Sequence, residues 1–250
     1  MKKKTTSLRL KNVSKTFKLR NEYFRSGNII SAFKFLFTKN SKVKTFEALK
    51  DINLIIKKGE TIGIIGRNGS GKSTLVKIMS GAYLPDKGGL VKKNGKSILM
   101  SLKVGMNPEL TARQNIYVNG SALGLRVKEI DNKFNKIVSF AELEDFVDVK
   151  VKNFSNGMSA KLSFSIAINA NAKIMFLDEV FAVGDQSFRT KAIDAIEKNW
   201  LDGRTVVLVS HSMSLIEKYC DRVVYLKDGK IKFKGNPQKA IDLYNKDSDN

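Results

Sequence analysis

Residues 66–73, Gly-Arg-Asn-Gly-Ser-Gly-Lys-Ser, match the spacing G-x-x-x-x-G-K-[ST] at every fixed position. The apolar run at residues 61–65 predicts a buried strand before this motif, and residues 72–80 have the pattern of a helix after it. Glycines let such a backbone curl with its N–H groups pointing inward, where the helix adds the positive end of its dipole. The motif therefore predicts a loop that binds a polyphosphate. A Gly-rich turn that matches by chance is the alternative, and the flanking strand and helix argue against it.

The side chains of this loop have separate predicted roles. Lys72 would reach the β- and γ-phosphates of a nucleotide as a point charge, and the Ser73 hydroxyl would coordinate Mg²⁺. The other candidate nucleotide contacts in and beside the loop are Gly66, Asn68, Gly69, Ser70, Gly71 and Thr74.

Charge limits the choice of partner. Lys and Arg number 45 against 24 Asp and Glu, which gives a formal net charge of +21. This excess favours an anionic partner such as nucleic acid, acidic lipid or nucleotide, without choosing among them. A single cysteine, Cys220, at a predicted helix end or strand start, excludes a disulfide framework and fits a reducing compartment such as the cytosol.

The chain shows no pattern for export or membrane insertion. Residues 1–4 resemble the start of a signal peptide, but no apolar core follows them. No apolar run approaches the ~20 residues that span a bilayer. We therefore expect a chain that is neither secreted nor membrane-spanning by its own means.

Residues 8–13 alternate apolar and polar side chains and predict a half-buried strand that ends over residues 14–17. Phe17 then lies at a strand end, where an aromatic ring can stack on the adenine of a bound nucleotide. Ordinary packing of the ring is the alternative, and Tyr23 is a second candidate for the adenine contact.

Residues 18–47 interrupt this pattern with a basic segment. On a helix the apolar residues between positions 29 and 37 share one face, which predicts a short amphipathic basic helix. Such a helix could lie at a membrane surface or dock on a partner, or its apolar face could pack on the core while the lysines are merely solvated. The basic residues of the segment are Lys18, Arg20, Arg25, Lys34, Lys39, Lys42 and Lys44, and the apolar face holds Ile29, Ile30, Phe33, Leu36 and Phe37.

Beyond this segment, residues 48–56 and 97–102 predict strands. Between residues 111 and 141 the apolar period becomes helical, which predicts two helices within a helical subdomain of about residues 105–165. We expect residues 1–250 to form one domain of this plan. The apolar positions of the two helices are Ile116, Val118, Ala122 and Leu123, then Ile130, Phe134, Ile137 and Val138.

Residues 173–179 end an apolar run in two adjacent carboxylates, Asp178 and Glu179. A strand buried on both faces of a parallel sheet has this pattern, and ligands bind at the carboxyl end of such a sheet. Asp178 would hold Mg²⁺ through water, and Glu179 could polarise the attacking water. A strand that ends in a solvated acidic turn is the alternative.

Two further segments suggest phosphate contacts. Ser155 precedes a helical pattern at residues 159–169 and could cap it, giving a second helix N-terminus able to receive phosphate oxygens; a plain helix cap is the alternative. His211 is the only histidine and follows the apolar run at 206–209, where a γ-phosphate sensor could stand; a structural histidine is the alternative.

The order of these motifs along nearly the whole chain resembles the ATP-binding subunits of ABC transporters. Residues 154–158, Phe-Ser-Asn-Gly-Met, stand where that superfamily has Leu-Ser-Gly-Gly-Gln, and Asp185 stands at its D-loop. The resemblance implies an α/β fold: a P-loop NTPase core with a mixed sheet, an antiparallel β portion and a helical subdomain.

The resemblance also implies a reaction and its partners. Two copies would sandwich two ATPs with Mg²⁺, each nucleotide lying between one copy's phosphate loop and the other copy's Ser155 and Gly157. Lys72, Glu179 and His211 would inherit catalytic roles, and Asp185 and Phe17 nucleotide contacts.

Within the superfamily, the Ser-Asn-Gly-Met variant, the basic segment and residues 183–188 look like those of exporters of polysaccharides and teichoic acids. This resemblance implies a transmembrane permease partner, a lipid-linked glycopolymer as substrate, and a place at the cytoplasmic face of a bacterial membrane. The carbohydrate-binding tail of longer members is not expected.

One departure concerns coupling to the permease. Most ABC ATPases place Gln or Glu about where Ser101 or Leu102 stands, and neither residue type is present there. Either the Ser101 hydroxyl would couple the cassette to the permease more weakly, or neighbouring residues would provide the coupling.

Three alternative functions compete with glycopolymer export. A soluble ABC ATPase acting on nucleic acid or translation would suit the positive charge, but it usually carries two cassettes or a long coiled coil, so we expect no nucleic-acid partner. A non-hydrolysing regulatory cassette would be expected to lose Lys72, Glu179 or His211, and all three are intact. An ABC transporter for another substrate also remains open.

Overall fold

The computed structural model describes residues 5–19, 44–100, 106–178, 185–201 and 203–248. These residues form two sheets and a set of helices. The strands are β1 Thr6–Leu19, β2 Lys44–Lys57, β3 Thr61–Ile65, β4 Leu90–Lys93, β5 Ser97–Met100, β6 Ile174–Asp178, β7 Thr205–Val209, β8 Arg222–Lys227 and β9 Lys230–Gly235. The α-helices are α1 Lys72–Ser80, α2 Ala112–Ala122, α3 Val127–Ala141, α4 Asn156–Ile168, α5 Gln186–Ile196, α6 Met213–Tyr219 and α7 Pro237–Ser248.

The larger sheet has six strands in the order β5-β6-β7-β3-β8-β9. Its neighbours pair in parallel except β8 and β9, which are antiparallel. Strands β3 and β7 are buried at every position, as expected for a parallel sheet covered on both faces. The predicted mixed sheet is therefore confirmed, and the apolar runs at 61–65 and 206–209 are its central strands.

A second sheet, β2-β1-β4, is wholly antiparallel. The side chains of Leu8, Leu10 and Val13 on β1 are buried, and they share a hydrophobic cluster with α1 and strands of the larger sheet. This packing holds the predicted antiparallel portion over the helix that follows the phosphate loop.

The end of β1 corrects one prediction. The strand continues past residue 13 to Leu19, pairing Phe17 with Phe46 and Leu19 with Lys44. Register shifts interrupt the ladder between Leu10 and Lys15, and such bulges break the period-2 pattern from which a strand is recognised.

The predicted basic segment at 18–47 is consequently shorter than its charge pattern suggested. Lys18, Lys44 and residues 45–47 belong to the β1–β2 ladder. The amphipathic helix predicted around residues 29–37 lies outside the described residues, as does Tyr23.

Helices α2, α3 and α4 pack around a cluster of their own, which matches the predicted helical region. Two side chains predicted on the apolar face are exposed: Val118, at 52%, and Ala122. Ile116 is buried as predicted, and Gly120 shares its contact face, since a Cβ on Gly120 would stand 2.9 Å from Ile130 Cδ1. Val118 lies two positions from Ile116, or about 200° around the helix.

Strand β5 ends at Met100, so Ser101 and Leu102 also lie outside the described residues. Within the part of the chain that the structure describes, no helix has the length and apolar content needed to cross a membrane.

Candidate nucleotide site

The phosphate loop joins the carboxyl end of β3 to the first turn of α1, as predicted. Gly66, Gly69 and Gly71 have φ angles of 153°, 81° and 102°, which favour glycine. Space is also limited, because a Cβ on Gly66 would stand 2.3 Å from the carbonyl oxygen of Leu226 and one on Gly71 would stand 2.6 Å from that of Ala48. Gly66 and Gly71 are therefore required by both torsion angle and packing, whereas Gly69, with no atom within 4 Å of its Cβ position, is favoured by its torsion angle alone.

Lys72 lies inside this loop with only 8% of its surface exposed. Its ammonium group donates hydrogen bonds to the carbonyl oxygens of Gly66, 2.6 Å away, and Arg67, 3.1 Å away. Hydrogen bonding offsets part of the cost of burying the charge and fixes the ammonium group at the loop.

The rest of the loop offers hydrogen-bonding capacity to an anion. The Ser70 hydroxyl oxygen is the one buried side-chain polar atom without a hydrogen-bond partner among the residues that the structure describes. Asn68 and Ser73 are exposed, and Thr74 is half-buried. No acidic residue lies in the first turn of α1, so the positive end of the helix dipole is not neutralised there.

Strands β6, β7 and β3 are neighbours, so their carboxyl ends meet at one edge of the sheet. Asp178, the last residue of β6, pairs with Val209, the last of β7, and Val209 pairs with Ile64 of β3. The structure thus brings Asp178 and the chain leading to His211, which is exposed, to the edge that carries the phosphate loop. Glu179 follows Asp178 directly and lies outside the described residues.

Ser155 and Gly157 lie at the start of α4, within the helical region. Ser155 is the N-cap residue, and its hydroxyl oxygen accepts a hydrogen bond of 3.1 Å from the backbone N–H of Met158. The cap starts α4 at Asn156, three residues before the predicted start. A Cβ on Gly157 would meet only the Ser155 hydroxyl, at 3.7 Å, so this N-terminus is open.

Asp185 caps α5 by accepting a 2.9 Å hydrogen bond from the backbone N–H of Phe188. Its other oxygen lies 2.9 Å from the Lys161 ammonium. The hydrogen bond from Phe188 and then the contact with Lys161 lower the pKa of Asp185 to about 2. This carboxylate therefore stays ionised at neutral pH.

Phe17 lies on β1 with its ring partly buried. The ring packs edge-to-face on Tyr83, with centroids 5.8 Å apart, and the Lys15 ammonium lies 5.7 Å from its centroid. The sequence pattern missed Tyr83, because it stands in a Gly- and Lys-rich stretch after α1. Its aromatic character in an otherwise polar loop was the available signal.

A cavity of about 360 Å³ lies away from this site, lined by residues that precede β6 and β7, such as Lys173 and Arg204. It opens at the amino ends of those strands, opposite the phosphate loop. Parallel sheets bind ligands at their carboxyl edge, so this cavity is at the wrong edge of the sheet for the nucleotide.

The family model for the ABC transporter matches residues 49–182, which contain the phosphate loop, the cap of α4 and the end of β6. The chain belongs to the ABC transporter family. It is an ATP-binding cassette that binds and hydrolyses nucleotide, and the predicted family and fold are confirmed.

Relatives of this ABC transporter chain include named export proteins. It is 41% identical over 204 residues to the ABC transporter protein AbcA of Aeromonas salmonicida, covering 82% of this chain and 66% of that protein. It is 40% identical over 203 residues to the O-antigen export system ATP-binding protein RfbB of Klebsiella pneumoniae, covering 81% and 82%. It is 37% identical over 236 residues to the teichoic acids export ATP-binding protein TagH of Listeria monocytogenes, covering 94% and 70%.

A solved structure of similar fold is the dimeric post-hydrolysis state of an ATP-binding cassette bound to ADP and Pi. The TM-score is 0.71 with 25% sequence identity, covering 92% of this ABC transporter chain and 98% of that one. The individual roles of Lys72, Glu179, His211 and the other site residues remain predictions.

Proposed function

We propose that this chain is the ATPase subunit of a bacterial membrane exporter that moves a lipid-linked glycopolymer, such as a teichoic acid, an O-antigen or a capsule-like polysaccharide, across the cytoplasmic membrane. The observation that carries the proposal is the complete phosphate loop, with buried Lys72 at its centre, in a chain whose relatives are named as export ATPases. A transmembrane permease would supply the pathway, and the cassette would lie at the cytoplasmic face of the membrane.

The residues present fit a nucleotide with Mg²⁺. The loop leaves no space for a Cβ at Gly66 or Gly71, carries a buried unpaired Ser70 hydroxyl and has no acidic side chain in the helix turn behind it. Ser73 and Asp178 would hold the metal ion, which when bound would neutralise charge on the β- and γ-phosphates.

The side chains of the cassette would then have separate roles in nucleotide binding and hydrolysis. Lys72 would bind the β- and γ-phosphates, Glu179 would accept a proton from the attacking water, and His211 would contact the γ-phosphate. Phe17 would pack on the adenine. In a homodimer, Ser155 and Gly157 of one copy would approach the nucleotide of the other, and the exposure of Ser155 and the free space beside Gly157 at the helix N-terminus support that arrangement.

The proposed function is tested by reconstitution. The cassette and a candidate transmembrane permease are placed in liposomes with a lipid-linked glycopolymer, and polymer on the far side is measured with ATP. We expect translocation that requires ATP and stops with the Lys72→Ala variant. ATPase activity without polymer movement would exclude this substrate class, and stimulation of the ATPase by nucleic acid would favour the competing class.

A further inference from the structure

A group of four charged side chains joins the helices α3, α4 and α5. We call it the junction cluster: Glu142, Lys161, Asp185 and Lys191. The Lys161 ammonium lies 2.6 Å from one oxygen of Glu142 and 2.9 Å from one oxygen of Asp185. Lys161 therefore bridges two carboxylates that belong to different helices.

The three helices meet here end to side. Glu142 is the C-cap of α3 and has a left-handed backbone with φ of 60°, while Asp185 is the N-cap of α5. Lys161 lies on α4, six residues after its cap Ser155, or about 9 Å along the helix. One side chain from the middle of α4 thus connects the end of α3 with the residue at which the chain enters α5.

Aromatic packing keeps Lys161 partly away from water, although the side chains of Glu142 and Asp185 are 44% and 60% exposed. The Phe164 and Phe188 rings are fully buried, with centroids 5.8 Å apart, and Phe140 packs on both at 5.9 and 5.6 Å. The Lys161 ammonium lies 5.2 Å from the Phe188 ring centroid, and its side chain is only 15% exposed. The limited exposure of Lys161 leaves its charge less screened by water than that of a fully exposed lysine.

Lys191 occupies the other side of Glu142. Its ammonium lies 3.3 Å from Glu142 and donates a hydrogen bond to the Phe140 carbonyl oxygen, and its side chain is 39% exposed. No contact between Lys191 and Asp185 is found among the described residues. The two lysines therefore share one carboxylate, but only Lys161 reaches Asp185.

We propose that Lys161 is a positioning residue for ATP hydrolysis, which holds the N-terminus of α4 and Asp185 in one geometry. This inference rests on the proposed function, in which Ser155 and Asp185 act on nucleotide at the dimer interface. Fixing Asp185 against α4 would keep Asp185 and the Ser155 end of α4 in one arrangement toward the bound nucleotide. Glu142, whose pKa is lowered by Lys161, is ionised as the bridge requires.

The experiment compares steady-state ATPase kinetics of the purified full chain with those of Lys161→Met, Lys161→Arg and Lys191→Met. We expect Lys161→Met to lower kcat roughly ten- to hundredfold, because small misplacements of reacting groups cost that much, with KM changed less than about twofold. Lys161→Arg keeps a charge that reaches both carboxylates and should restore most of kcat. Lys191→Met makes the matched change at the same junction without touching Asp185 and should keep kcat within about twofold.

The possible results distinguish the ATPase role of the chain from the positioning role of Lys161. An inactive wild-type chain would contradict the proposed ATPase role itself. An active wild type with unchanged kcat in Lys161→Met, or an equal loss in Lys191→Met, would overturn the positioning role alone. If Lys161→Met does not fold, Glu142→Gln decides, since it removes one charge of the bridge; we expect kcat about threefold lower, and an unchanged kcat in the folded variant would overturn the inference.

Discussion

The Lys72 ammonium donates a 2.6 Å hydrogen bond to the carbonyl oxygen of Gly66, so the lysine of the phosphate loop contacts the first residue of that loop. We expect Lys72→Ala to lower nucleotide affinity about ten- to hundredfold, because a charge-assisted hydrogen bond to phosphate is lost. Nucleotide titration with and without Mg²⁺ measures this. Lys92→Ala removes an exposed charge on β4 and serves as the control. Equal affinity in both variants would remove Lys72 from the site.

The tight packing of Gly71 predicts a large effect of a small substitution. A Cβ there would stand 2.6 Å from the carbonyl oxygen of Ala48, and the φ angle of 102° adds torsional strain. We expect Gly71→Ala to lower the free energy of unfolding by more than about 2 kcal/mol. Gly88 has a similar φ of 96° with no atom near its Cβ position, so Gly88→Ala should cost about 1 kcal/mol. Urea denaturation compares the two, and equal losses would contradict the steric argument.

Glu179 follows the strand end at Asp178 and is the predicted general base. We expect Glu179→Gln to bind ATP with near-normal affinity while turnover falls roughly 10²–10⁴-fold, which is the usual effect of losing a general base. ATP should then hold the variant as a dimer, which size-exclusion chromatography with ATP detects. Glu217→Gln, an exposed change on α6, is the control for turnover. Wild-type turnover in Glu179→Gln would assign the base elsewhere.

Asp247 fastens α7 to the edge of the large sheet. Its oxygens lie 2.6 Å from the Lys232 ammonium and 2.8 Å from the Tyr225 hydroxyl, and these contacts, with Lys227, lower its pKa to about 2. Because the folded pKa is below the unfolded value of about 3.9, the stabilisation is complete above that value and is lost as pH falls toward 2.

We therefore expect Asp247→Asn to destabilise the chain near neutral pH, with the difference from wild type shrinking between about pH 4 and pH 2. Urea denaturation across this pH range measures the difference. Asp242→Asn changes a carboxylate of the same helix that accepts a 2.9 Å hydrogen bond from the Gln238 side-chain amide, and it is the control. A difference for Asp247→Asn that is independent of pH would show that ionisation is not the cause.

The sequence alone was sufficient for the segments whose structure is determined locally. The strand at 61–65, the loop glycines and the helix at 72–80 were all predicted with the bounds that the structure has, because a buried parallel strand and a P-loop each have a strong local pattern. The motif order along the chain likewise predicted the family.

Features that depend on distant partners were missed. The extension of β1 to Leu19 depends on pairing with Lys44, and the bulges before it hide the strand period. Val118 was placed on the wrong face because the close approach of Gly120 to Ile130 sets how α2 packs. The bridge from Lys161 to Glu142 and Asp185 joins residues far apart in the chain, and no local pattern reveals it.

The pairing of Leu19 with Lys44 has an evolutionary consequence. Directly paired residues of an antiparallel ladder have Cα atoms about 5 Å apart, so β1 ends and β2 begins at almost the same point. Whatever number of residues connects the two strands, their register and the core beneath them are unaffected. This hairpin is therefore a place where a cassette can gain, lose or exchange sequence without any change to its catalytic machinery.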